Sequence, residues 1–233
     1  MIKFFRHIRR SLINSNQMVT YFKYAIGEIL LVVIGILIAL GINNWNENRK
    51  KEKNEIILLE KLQEENTINL GEVKRDSTYR ENLPKLMTRF NTFLKNGDLK
   101  LHKDSLQDYL AEIMRCTSYS FNQNNIVNYI NSHESNASDI TKELAILKGF
   151  QDDLQTISNK GIDIRFSDFF NTIKADVDFN SGEIINYDKF KSLKFRNDIN
   201  ILLGIDREIS NQFNSTLRQI RLVDSLITEQ LER

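Results

Sequence analysis

Between residues 202 and 231, apolar side chains recur as Leu202, Ile205, Ile209, Phe213, Leu217, Ile220, Val223, Ile227 and Leu231. Eight steps cover 29 positions, a repeat of about 3.6. That period gives a straight amphipathic helix packed on a globular core, whereas a sustained coiled coil would keep about 3.5. A different pattern stands near the start. From Tyr24 to Ile42 the chain reads YAIGEILLVVIGILIALGI, nineteen residues with one charge. As a helix rising about 1.5 Å per residue, it would match the ~30 Å hydrocarbon layer of a bilayer. Tyr24 and Trp45 flank the run where interfacial aromatics belong.

The apolar stripe resumes after a polar stretch, Asn46–Asn54. Ile56, Leu59, Leu62, Leu70 and Val73 carry it on, interrupted by Asn66 and Asn69, and predict one helix reaching about residue 81. Pro84 fits the first turn of the next helix, which Asn96-Gly97-Asp98 ends. Asp104 with Gln107 has the spacing of a capping box before Leu106, Leu110 and Ile113. Ile126, Val127 and Ile130 predict a short helix, and Ser138 caps one bearing Ile140, Leu144, Leu147, Leu154 and Ile157. Phe166, Phe169, Phe170 and Ile173 follow on another. Val177 and Phe179, then Asn180-Ser181-Gly182, then Ile184 predict a loop or minor hairpin near 176–186. The expected fold is all-α: a transmembrane helix followed by a helical bundle. The expected organisation is a basic amphipathic tail at 1–23, a transmembrane helix at 24–42, a charged helical stalk at 43–55 and a soluble domain at 56–233.

Charge sharpens the picture of the first segment. Lys3, Arg6, Arg9, Arg10 and Lys23 against Glu28 give residues 1–42 a charge of +4, so the remainder carries −3 of the overall +1. An acidic body offers no electrostatic footprint for nucleic acid, which is not expected as a partner. In the tail, Ile2, Phe5, Ile8 and Leu12 recur at helical spacing beside Arg6 and Arg10, a pattern suited either to a short helix lying on anionic lipid or to a disordered positive tail that only sets topology. Ala39-Leu40-Gly41 has the form of a signal cleavage site, but the apolar run reaches the supposed cut without a polar approach. A retained anchor is the better reading. Five Lys and Arg precede the span and five lie in residues 44–63, so the charge rule is almost balanced. The short basic tail ahead of a long domain favours a cytoplasmic N-terminus and a periplasmic body.

Glu28 stands inside the apolar run, where a carboxylate is costly unless shallow, paired or protonated. At helical spacing it shares a stripe with Gly35 and Ala39, a small-xxx-small pair that lets a second helix approach. These three residues are the candidate helix–helix packing or intramembrane polar site. Phe5, Arg6, Arg10, Tyr24 and Trp45 are the candidate membrane-interface residues.

The opening MIKFFRHIRR followed by YAIGEILLVVIGILIALGINNWNE resembles an uncharacterised family of small single-span membrane proteins common in Bacteroidota. The likeness covers residues 1–48. It implies a cell envelope location and no catalytic residue.

Candidate chemistry adds little. The chain has no Gly-x-Ser-x-Gly elbow, Walker loop or His-Glu-x-x-His pair, three histidines, and a single cysteine, Cys116, expected to be a small buried residue. Glu64-Glu65 and Asp152-Asp153 are expected on a solvated face. Asp176-Val-Asp178-Phe-Asn180 alternates oxygens like a calcium loop, but the position of the bidentate acid holds Tyr187. Neither a cofactor, a metal nor a small-molecule substrate is expected. The expected function is a non-enzymatic, membrane-anchored scaffold in the inner membrane, partnered by the bilayer and by itself or another membrane protein. The alternative is an accessory subunit of a transporter or ion-driven motor that uses Glu28.

Overall fold

A computed structural model describes residues 18–133 and 138–232. Eight α-helices stand among the described residues, with no strand: α1 Met18–Lys74, α2 Ser77–Asn96, α3 Lys103–Met114, α4 Asn124–Ser132, α5 Asp139–Ile164, α6 Phe170–Ile173, α7 Tyr187–Lys191 and α8 Leu193–Leu231. A single π-helical stretch, Arg165–Phe169, joins α5 to α6. The chain divides into two compact units between Ile57 and Leu58, within α1.

The first unit is the described part of the anchor. Its most apolar window has a mean hydropathy of 2.8, and none of that window is buried. Among the described residues it is the one helix long and apolar enough to cross a membrane. Exposed Ile and Leu at this density have no place in water, and the same surface suits hydrocarbon.

The second unit is the helical bundle the periodicity predicts. α8 buries Leu202, Ile209, Phe213, Ile220, Val223 and Ile227, the stripe read from the sequence, while Ile205, Leu217 and Leu231 are half-buried. Its N-terminus is capped by Ser192, whose hydroxyl accepts from the Phe195 amide at 3.2 Å. Ser138 caps α5 by accepting from Thr141 N at 3.3 Å. Gly161 on α5 faces α8 so closely that an added Cβ would lie 3.0 Å from Ile209 Cδ1.

Two apolar cores form within this unit. One gathers Leu83, Phe90, Leu106, Phe169, Phe195 and Leu202. The other gathers Leu59, Leu62, Leu144, Leu154, Phe213 and Ile220.

Several local expectations need correction. α1 stops at Lys74, earlier than residue 81, and α2 begins at Ser77, so Pro84 lies inside a helix. The break brings the adjoining Asp76 and Arg80 inside, where both are buried. Pro84 stands two turns into α2 on its exposed side, where it forfeits the backbone donor that would otherwise meet Arg80 O. The capping box at Asp104 does not form: α3 starts after His102 with no side-chain cap, and Gln107 donates its amide to Gly182 O. The segment expected as a separate helix, Phe166–Ile173, continues α5 through the π-helical stretch. Between 176 and 186 a single antiparallel bridge, Val177 with Ile184, closes around Gly182, whose φ of +71° favours glycine.

Candidate functional site

The residues expected at the membrane all lie on α1 or before it. Phe5, Arg6 and Arg10, with residues 1–17 of the tail they belong to, fall outside the described residues, and the tail's residues 18–23 are the first of α1. Tyr24 and Trp45 are exposed, and the Arg49 guanidinium sits over the Trp45 ring at 5.7 Å. Glu28 is half-buried and Ala39 exposed. At Gly35 an added Cβ would meet nothing within 4 Å, so the chain's own fold makes no use of its smallness.

A second site lies within the bundle, and the sequence did not point to it. On α8, Asp206 falls between Leu202 of the first core and Ile209 of the second. Asp76 and Arg80 fall likewise between Val73 and Leu83, and Arg165 between Leu154 and Phe169. Together they form a charged layer where the two cores meet. Arg165 donates to Ile113 O at 2.8 Å, to Gly161 O at 3.1 Å and to the Asp206 carboxylate. Arg80 Nε donates to Asp76 Oδ2 at 3.1 Å, and Tyr119 donates to the same oxygen at 3.0 Å. Arg80 Nη1 lies 3.8 Å from Asp206 Oδ1, and the half-exposed Arg115 lies 3.7 Å from Asp76. Arg165 and Asp206 are each 2% exposed.

Electrostatics follow from this burial. Burial pushes the Asp206 carboxyl above the usual carboxylate range, with the Arg165 and Arg80 guanidiniums pulling the other way. Burial opposes the charge on Arg80 too, but Tyr119, Asp76 and Asp206 outweigh it and hold the guanidinium above its ordinary value. Burial raises the phenols of Tyr79 and Tyr119 from 10.0 to about 12.

A raised phenol stabilises the fold fully below the unfolded value of 10.0 and loses that contribution as pH climbs through about 12. Stability is therefore expected to fall over that window. In an alkaline absorbance titration, the phenols of Tyr79 and Tyr119 should ionise late, together with loss of helical circular dichroism. Ionisation of both near pH 10 with the helices intact would contradict this.

A cleft of about 420 Å³ borders the charged layer between α2 and α8. Arg80, Asp206 and Ser210 line it, with Leu83, Met87 and Leu203 supplying apolar wall.

The remaining acidic candidates divide. Glu64 is exposed as expected, but Glu65 is 2% exposed and holds the start of α4, accepting from Asn125 N at 2.8 Å and Ile126 N at 3.1 Å. Asp153 is exposed, while Asp152 is half-buried and accepts from Lys148 and Gln123 at 2.6 and 2.9 Å. Asp178 folds onto its own turn, accepting from Asn180 N at 2.8 Å and Ser181 Oγ at 2.9 Å. Cys116 is half-buried, not buried. Among the described residues, no three His, Cys, Asp or Glu gather closely enough to hold a metal ion.

A family of unknown function, DUF6090, matches residues 28–141. The match agrees with the likeness to an uncharacterised domain family and takes in Glu28, Glu65, Asp76, Arg80 and Tyr119. Arg165 and Asp206 lie beyond it. No curated protein and no solved structure matches the chain. The matched family and the apolar helix are compatible with a membrane-anchored protein.

Proposed function

We propose that this protein is a non-enzymatic, single-span interaction module of the cell envelope, anchored in the inner membrane by residues 24–42. The N-terminus is cytoplasmic and the helical domain periplasmic. The observation that carries the reading is the fully unburied apolar window of α1 in a chain that also folds a helical bundle. The ionisable groups of the bundle's charged layer are arginines, aspartates and tyrosines bonded to one another and to backbone carbonyls. Such bonds hold helices together.

The partner of the anchor is a second transmembrane helix, from another copy or a different membrane protein. Glu28, Gly35 and Ala39 share the stripe on which it would pack. The test is a pair of single variants assayed by crosslinking in intact membranes. Gly35→Leu is expected to reduce crosslinked assembly at least tenfold while the bundle stays folded, because the new side chain meets nothing within the chain itself. Glu28→Gln is expected to keep assembly, since the amide can still hydrogen-bond. Full assembly in Gly35→Leu would overturn the packing reading. Loss of the deletion phenotype's complementation in Glu28→Gln, with assembly intact, would favour an accessory subunit of an ion-coupled machine. A reporter that works only in the cytoplasm, fused after Arg233, tests the orientation. Its activity would reverse the topology.

A further inference from the structure

The stalk that follows the apolar run sorts its charges by face. Trp45 to Ile57 belongs wholly to α1 and to the first compact unit, and every residue from Trp45 to Asn54 is exposed. At 3.6 residues per turn, Trp45, Arg49, Lys53 and Lys50 fall within an arc of about 140° that contains no acid. The opposite side carries Glu47, Glu52 and Glu55, with Lys51 as its one cation. The Glu47 carboxylate accepts from Asn43 at 3.0 Å. Arg49, Lys50 and Lys53 make no ion pair with a carboxylate among the described residues. The Arg49 guanidinium lies over the Trp45 ring instead, at 5.7 Å.

Direction matters as much as placement. Side chains on a helix tilt toward its N-terminus, and here the apolar run lies N-terminal to the stalk. Long cationic side chains at 49, 50 and 53 therefore lean back toward the bilayer surface, as Arg49 does in reaching the Trp45 ring. Arg49 and Lys53 stand roughly 6 and 12 Å beyond Trp45 along the helix axis. The screening length at physiological salt is about 8 Å, so the cations act on charge at the surface. Each cation close to a membrane favours anionic lipid roughly fivefold. We propose that the face formed by Arg49, Lys50 and Lys53 recruits anionic phospholipid headgroups around Trp45, in the leaflet from which the stalk emerges. The backward lean of these cations favours lipid over an acidic protein partner, which would need them turned outward. The recruitment rests on residues 24–42 spanning the bilayer, as proposed above, and holds for either orientation of the chain.

Trp45 is the single tryptophan of the chain, so its fluorescence reports on the lipids at this surface. The full chain would be reconstituted in vesicles of one part phosphatidylglycerol to four parts phosphatidylcholine. Bromine on shallow acyl carbons quenches tryptophan on contact, and it would be placed in one lipid or the other. At low salt, phosphatidylglycerol is expected to be preferred beside Trp45 by about fivefold or more, and molar salt should return that preference to near unity. Arg49→Gln, Lys50→Gln and Lys53→Gln combined should abolish the preference, while Lys51→Gln, on the opposite side, should leave it unchanged. The cations ahead of the span are retained in every variant. Equal quenching by the two lipids in the parent chain would overturn the proposal, leave the span intact and turn attention to an acidic protein partner. A preference that survives the triple variant, or that Lys51→Gln removes, would overturn it as well. Absence of quenching by either lipid would place Trp45 away from the bilayer and overturn the span together with the recruitment.

Discussion

Asp206→Ala is expected to lower the unfolding free energy by about 3–5 kcal/mol, the range seen when one partner of a buried ion pair is removed. The carboxylate contacts the Arg165 guanidinium and lies 3.8 Å from that of Arg80, and all three side chains are at most 4% exposed. Without it, Arg80 keeps Asp76 and Tyr119. Arg165 keeps only neutral carbonyls, Ile113 O and Gly161 O, so its charge is left uncompensated in the interior. Removing the charge on both sides has a different consequence. A double variant, Arg165→Met with Asp206→Leu, should recover most of the loss, because apolar residues of similar volume often replace a buried pair at little cost. Urea unfolding of the full chain, followed by far-ultraviolet circular dichroism, measures both. A loss below about 1 kcal/mol in Asp206→Ala would show that the pair is not compensated as its geometry implies.

The comparison also says what the pair is for. If the double variant is as stable as the parent but binds a hydrophobic dye or melts less cooperatively, the charged layer's contribution is specificity. It would then set the register of α2, α5 and α8 where two apolar cores meet, a role that uniform apolar packing fulfils poorly.

The parts of the fold legible from sequence were those governed by periodicity. The stripe on α8, the apolar run of α1 and the Ser138 cap each rest on local spacing, and the structure contains all three. The charged layer was not legible, because its members are far apart in the chain: Asp76, Arg80, Tyr119, Arg165 and Asp206. Each taken alone reads as a polar residue on an amphipathic helix. One signal was present. On the stripe from Leu202 to Ile227, Asp206 stands four residues after Leu202 and three before Ile209, which is an inward position. Asn66 and Asn69 gave the same signal on α1. They read as interruptions of an apolar face, but they are buried pegs, with Asn66 donating to Ile220 O at 3.0 Å and Asn69 pairing twice with Asn122 at 2.7 and 3.0 Å. A polar residue at a core position marks a place where a distant backbone segment needs a partner. The break at Lys74 was missed for a related reason. Nothing local ends α1 there, and it is the inward turn of Asp76 toward Arg80 and Tyr119 that makes the kink worthwhile.

Glu65 is the clearest such case, and its substitution is expected to have the second largest effect. Its two carboxylate oxygens accept from the amides of Asn125 and Ile126 at 2.8 and 3.1 Å, in the first turn of α4. A helix starts with amides that have no intrahelical partner, and here a side chain sixty residues away satisfies two of them. The negative charge also lies at the positive end of the α4 dipole. α4 is nine residues long, and beyond the Asn124 amide, which donates to Asn122 Oδ1 at 3.2 Å, no local side chain caps its first turn, so it depends on Glu65 more than a longer helix would. Hydrogen bonds to charged groups contribute about 1.5–3 kcal/mol each, and part of that offsets the burial of the carboxylate. Glu65→Ala is therefore expected to cost about 2–4 kcal/mol. Glu65→Gln should cost nearly as much, because the carboxamide keeps one acceptor and turns a second donor toward an amide that already donates. Glu64→Gln, on the neighbouring exposed residue, should change stability by less than about 0.5 kcal/mol. Hydrogen exchange gives the sharper readout: in Glu65→Gln the amides of Asn125 and Ile126 should lose protection before the rest of the bundle. If those amides stay protected, and Glu64→Gln and Glu65→Gln prove equally mild, α4 holds its own N-terminus and the carboxylate is incidental to it.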